Sequence, residues 1–165
     1  MSRIVASFVL CGSLWALGLI PTTAAEMYPL VGTWTLNVAK SQSDSGPLPK
    51  GETRVYAVNP LGALTLIAEG TDAEGTLFAY GATGDINGRE YPIPGRDVGA
   101  RILGDTIVWK RIDPNTVEMT IKKKGEVINT TRHAVSEDRK TLTIAENGVD
   151  DEGRAIHQTR IYDRQ

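Results

Sequence analysis

Two histidines, His133 and His157, and two groups of turn acids, Asp72 with Glu74 and Asp150-Asp151-Glu152, are the residues whose types could hold a metal or move a proton. The histidines stand 24 residues apart, in separate strand-like runs. Two imidazoles and a carboxylate brought together would make a divalent-metal or general-base site, but nothing in this spacing requires them to meet. Paired loop acids offer the oxygen ligands calcium takes, although turn acids more often hold the turn itself. No Gly-x-Ser-x-Gly, phosphate loop, dinucleotide fingerprint or Cys/His zinc spacing occurs. The residues therefore assign no catalytic group, metal or cofactor, and a non-enzymatic role is the expectation.

The elements that would position such groups begin after the N-terminus. Arg3 and then an almost unbroken apolar run over 4–20 lead to Pro21-Thr-Thr-Ala-Ala25, with small residues suited to cleavage. Basic, then apolar, then small is the order of a secretory signal peptide, which places 1–25 as the leader and 26–165 as one domain. A membrane anchor is the competing reading; the short run and its Pro-containing flank favour cleavage. Lipidation at Cys11 is the third, opposed by the bulky Leu10 before it. Past residue 25 there is no cysteine, so the exported domain must be held by burial and hydrogen bonds, without disulfides. Losing the leader removes only Arg3 from 18 Lys+Arg and 20 Asp+Glu, so the net charge moves from -2 to -3. Mild negative charge with interspersed signs argues against nucleic acid as a partner.

The remaining text reads as strands and turns. Residues 117–123 (VEMTIKK) alternate apolar and polar, the mark of a strand with one buried face. Similar runs cover 52–58, 63–68, 76–82, 106–112, 126–135, 141–146 and 155–162, rich in the Thr, Val, Ile and Tyr that strands favour. Asn87-Gly88 suits a tight hairpin turn, and Asp113-Pro-Asn-Thr116 a type I turn. Strands joined by links this short pair mostly with their neighbours. The expected fold is all-β: an antiparallel up-and-down meander of about 8–10 strands, closed into a barrel to remove its edges. A two-sheet sandwich is the alternative. Two long segments, 40–51 and 91–104, each with two prolines, are expected as loops or straps near a barrel mouth. A 78-residue repeat also shows. Thr53-Arg and Leu64-Thr lie over Thr131-Arg and Leu142-Thr, and Gly70-Thr-Asp-Ala-Glu-Gly75 lies over Gly148-Val-Asp-Asp-Glu-Gly153. It suggests a pseudo-symmetric meander.

Gly32-Thr33-Trp34 opens the first strand-like run, and Arg160 and Arg164 stand in the last. In this the chain resembles the lipocalin and fatty-acid-binding-protein group of barrels, and within it the small exported bacterial proteins described as lipocalin-like. The resemblance implies that Gly32, Trp34 and an arginine of the final strand, Arg160, plug one end of the barrel. A large ring would seal the taper under a cation–π guanidinium. The lipocalin Thr-Asp-Tyr motif has no counterpart here, and the lipocalin disulfide is impossible. Trp109 falls mid-strand and Trp15 within the leader.

The function expected is that of an exported protein, periplasmic or secreted, holding a small, mostly apolar molecule in its barrel. Alternate positions make Tyr56, Leu66, Phe78, Tyr80, Trp109, Met119 and Tyr162 the candidate lining. One alternative is an envelope protein-interaction module with a filled barrel. Another is an enzyme or metal-binding protein using His133 and His157. No membrane span is expected after cleavage.

Overall fold

A computed structural model describes residues 28–93, 104–149 and 153–165. The expected leader over 1–25 with Cys11 and Trp15, positions 94–103 of the second long loop, and Asp150, Asp151 and Glu152 lie outside the described residues. Among the described residues, no helix is long and apolar enough to cross a membrane.

The chain forms β1 (Gly32–Leu36), β2 (Gln42–Ser43), β3 (Gly51–Val58), β4 (Leu64–Thr71), β5 (Leu77–Gly84), β6 (Glu90–Pro92), β7 (Thr106–Arg111), β8 (Thr116–Lys123), β9 (Glu126–Val135), β10 (Thr141–Val149) and β11 (Ala155–Arg164). One 3₁₀ turn, Val38–Lys40, follows β1. The ladder runs β5-β4-β3-β1-β11-β10-β9-β8-β7-β6, antiparallel throughout. The meander therefore wraps into a nearly closed barrel, with β1 bridging β3 and β11. Its ends meet at a seam where β5 and β6 share no ladder. Side chains close the gap: Gly84 faces the Tyr91 ring closely enough that a Cβ there would sit 2.8 Å from it. Tyr91 Oη also donates to Asp85 Oδ2 at 2.8 Å.

Three expectations are corrected here. Asn87-Gly88 turns as foreseen, with Gly88 at φ +77°, but it spans the seam and joins strands that do not pair. Segment 40–51 is not a strap over an opening. Its β2 pairs with β11, Ser43 against Gln158 and Gln42 against Thr159, so it continues the place of β1 along the outer wall. Tyr91 and Pro92, expected in a loop, form β6 against Ile107 and Thr106. A proline without an N–H is tolerated there because β6 is an edge.

The lower end of the barrel holds the turns at 59–63, 85–89, 112–115 and 136–140 and residues 28–31. Leu30, Trp34, Leu64, Val117, Val135 and Leu142 fill it, all buried. Trp34 Nε1 donates to the Leu30 carbonyl at 2.7 Å. The guanidinium lying 4.1 Å from the Trp34 ring centroid belongs to Arg164, not to Arg160 as the motif suggested. Arg164 also donates to the carbonyls of Val31 at 3.0 Å and Arg139 at 2.5 Å. Gly32 sits at φ +140° directly beneath that guanidinium, where any side chain would collide. The plug thus needs glycine for two independent reasons.

Candidate functional site

Residue parity along the strands carries an unusual load of polarity into the upper half. In β3 the even positions point inward, so Tyr56 brings Glu52 and Arg54 with it. In β11 the same alternation turns Arg160 in with Tyr162. Glu52, Arg54 and Arg160 are 2%, 2% and 8% exposed, which calls for full pairing.

Glu52 receives it. Its Oε1 accepts from Arg54 Nε at 2.7 Å and Tyr80 Oη at 2.9 Å. Its Oε2 accepts from Arg160 Nη1 at 3.0 Å and Tyr162 Oη at 2.8 Å. Burial pushes this carboxyl up, but Arg54, Arg160 and the two phenols outweigh it and leave it at about 2. Arg54 continues outward, donating from Nη2 to Tyr80 Oη at 2.5 Å and from Nη1 to Tyr56 Oη at 3.5 Å. Arg160 Nη2 reaches a second acid, Glu146 Oε2, at 2.7 Å. That oxygen also accepts from Gln158 Nε2 at 2.7 Å, while Glu146 Oε1 accepts from Asn129 Nδ2 at 2.6 Å.

A proton-ordered chain leaves this cluster through His133. A guanidinium only donates, so the Tyr56 oxygen accepts from Arg54 and its O–H points to His133 Nδ1 at 2.9 Å. His133 Nε2 then carries the proton shared with Thr131 Oγ1 at 2.7 Å. Burial, and after it the charges of Arg54 and Arg160, hold the imidazole well below its ordinary range. His133 is thus a neutral link packed edge-on to Tyr56 and Trp109.

All seven expected lining residues face the interior. Leu66, Trp109 and Met119 are buried on the apolar side, with Phe78 near the top, and Tyr80, partly buried, stacks on Phe78 at 6.0 Å. Tyr56, Tyr80 and Tyr162 are instead members of the charged network. Burial raises the pKa of each phenol, foremost among the causes, so all three remain O–H donors. The histidine pairing is overturned: His133 is fully buried, whereas His157 is exposed on the outer face, its Nδ1 3.0 Å from Asn147 Oδ1. Asp72 Oδ1 accepts from the backbone N–H groups of Gly75 and Thr76 at 2.9 and 2.8 Å, a turn-holding acid. Among the described residues no group of three His, Cys, Asp or Glu side chains gathers as for a metal.

Glu52, Arg54, Thr131 and Glu146 were missed by selecting aromatic residues, yet parity exposes them. Any reading that puts Tyr56 inside puts Glu52 and Arg54 inside too. Three buried atoms around this region have no hydrogen-bond partner among the described residues: Trp109 Nε1, Arg160 Nε and Asn129 Oδ1.

No protein-family model matches the chain, and comparison with curated proteins finds no match. Solved structures do match. The fluorescent protein UnaG, wild type, overlaps with a TM-score of 0.54 at 14% identity, over 86% of this chain and 99% of that one. An asparagine-to-glutamine mutant of UnaG gives 0.55 at 14% identity, over 84% and 97%. A zebrafish ileal bile acid-binding protein complexed with cholic acid gives 0.49 at 9% identity, over 82% and 98%. At such identities the likeness is one of fold alone, a nearly closed antiparallel β-meander.

Proposed function

We propose that this protein is an exported carrier or sensor that holds a small, mostly apolar molecule in the upper half of its barrel. The observation that carries the reading is the contrast inside one lumen. The lower end is apolar and plugged. The upper interior keeps Arg160 Nε and Asn129 Oδ1 buried without partners, an arrangement that costs stability unless something completes it. Beside this polar wall, on the neighbouring strands β8 and β7, Met119, Ile121 and Ile107 offer apolar surface. An apolar pocket with a few convergent polar groups is the common form of a small-molecule site. Export rests on the leader-like 1–25 and is checked by N-terminal sequencing of the mature protein, which should begin near Glu26.

The test is native mass spectrometry of protein purified from its own envelope fraction, followed by solvent extraction. A discrete added mass that disappears on denaturation is the expected result. A bare chain that also fails to bind the neutral dye Nile red would end the carrier reading in favour of a protein-interaction role.

A further inference from the structure

Two arginines and two tyrosines converging on two carboxylate oxygens are the makings of an anion-binding seat, and here the chain supplies the anion itself. Glu52 takes four donors, two on each oxygen. Glu146 neutralises the far side of Arg160. The charged side chains of this interior network therefore balance: Glu52 and Glu146 against Arg54 and Arg160. The other buried acid, Asp72, is engaged in its own turn.

We infer that the barrel selects an uncharged ligand carrying a hydroxyl-type head group, one that both accepts and donates a hydrogen bond, over fatty acids and amines of the same chain. This rests on the carrier reading and deepens it. Two of the unpartnered atoms, both beside Glu146, define the head group. Asn129 and Arg160 grip the two oxygens of the same Glu146 carboxylate, Nδ2 on Oε1 and Nη2 on Oε2. Because a carboxylate cannot donate, Asn129 presents its Nδ2 to Glu146 and keeps Oδ1, a pure acceptor, unpaired. Arg160 keeps Nε–H, a pure donor, unpaired. A hydroxyl answers both. A carboxylate head could only accept; it would leave Asn129 Oδ1 bare and add negative charge beside Glu146. An ammonium could only donate, leaving the Nε–H bare and adding a positive charge without a counter-ion. Either would break a buried charge balance that water does not screen.

The experiment is displacement of Nile red from the purified mature protein by 1-decanol, decyl methyl ether, decanoate and decylamine. Decanol is expected to bind at least about tenfold tighter than decanoate or decylamine, and several-fold tighter than the ether, which accepts but cannot donate. Glu52→Gln removes one negative charge and should raise decanoate affinity by about tenfold or more. Asn129→Ala leaves the Glu52 cluster in place and should erase the alcohol-over-ether difference, so the idea remains testable should the first variant not fold. Decanoate binding tighter than decanol to the unmodified protein would overturn the inference while leaving a carrier. Failure of the dye and all four compounds to bind would sink the carrier reading, and this inference with it.

Discussion

The two ends of the barrel are held together by opposite means. At the lower end Trp34 and its leucine and valine neighbours are buried to within a few per cent, and the charge set against the ring, Arg164, lies on its face with N–H groups on carbonyls. Stability there comes from apolar area removed from water. At the upper end the chain buries two guanidiniums and the Glu52 carboxylate, with the partly buried Glu146 beside them, and their desolvation roughly cancels their attraction. A well-packed apolar replacement would do at least as well for folding. The charged cluster is therefore better explained by what it recognises than by what it stabilises.

Substitutions should separate the two mechanisms. Trp34→Ala is expected to have the largest effect, about 3–5 kcal/mol lost by chemical denaturation, because it empties the sealed end. A loss below about 1 kcal/mol would mean the plug is ornamental. Glu52→Ala should cost about 3 kcal/mol by stranding Arg54 and removing one of the two acids on Arg160. The informative variant is the double Glu52→Leu with Arg54→Met, which removes one charge of each sign and leaves Arg160 paired with Glu146. It should recover at least half of the single variant's loss. If it is as unstable as Glu52→Ala alone, the cluster is a structural requirement and the contrast between the ends fails.

Acid should act on the buried polar groups in two steps. His133 resists protonation in the fold, so the unfolded chain binds the extra proton once pH drops below about 6.5. Stability is then lost at up to about 1.4 kcal/mol per pH unit as pH falls. Glu52 adds a second window. Its folded carboxyl titrates at about 2 against an ordinary 4.5, so its contribution is intact above pH 4.5 and disappears between there and pH 2, about 3 kcal/mol in all. Urea midpoints between pH 7 and 5 should fall in the parent protein and stay level in His133→Gln, with the lower window unchanged. An equal fall in both would take His133 out of the account.

The sequence made the walls legible but not their chemistry. Alternation located eight of the eleven strands near their observed bounds, because a strand with one wet face writes its period into the residues. The short strands β2 and β6 carry too few residues to show any period. The charged interior was hidden for a different reason. Glu52 and Arg54 read as outward by type, and only parity with Tyr56 places them inside; Arg160 was expected inside, but as the plug that Arg164 supplies. The 78-residue repeat is half true. Leu64 pairs with Gly84 and Leu142 with Tyr162, the same register at the same offset. Gly70 and Gly148, also equivalent, both sit where a Cβ would strike a neighbouring backbone. The strand before each departs. Arg54 pairs with Ala68, but Arg132 pairs with Ala145 rather than the equivalent Glu146. The link from Val135 to Leu142 holds one residue more than that from Val58 to Leu64, and one residue turns every side chain over.

That slip makes the sharpest comparison and the smallest expected effect. Arg54 and Arg132 occupy the same place in the repeated text, after the same threonine. Arg54 faces inward, 2% exposed, with Glu52 and three tyrosines around it. Arg132 faces solvent, its side chain 66% exposed, with one contact to Glu118 at 3.1 Å. Arg132→Ala should therefore change stability by less than about 0.5 kcal/mol and leave Nile red binding untouched, as surface ion pairs contribute little. Arg54→Ala should cost several times more and alter dye binding. The converse test lies one residue on. Val55 is partly exposed, while its repeat equivalent His133 is buried. Val55→Thr should accordingly be near neutral, whereas His133→Leu strands Tyr56 and Thr131. Equal costs for the two arginines would place both on one face of the wall and remove the register slip as the reason one copy of the repeat became the site.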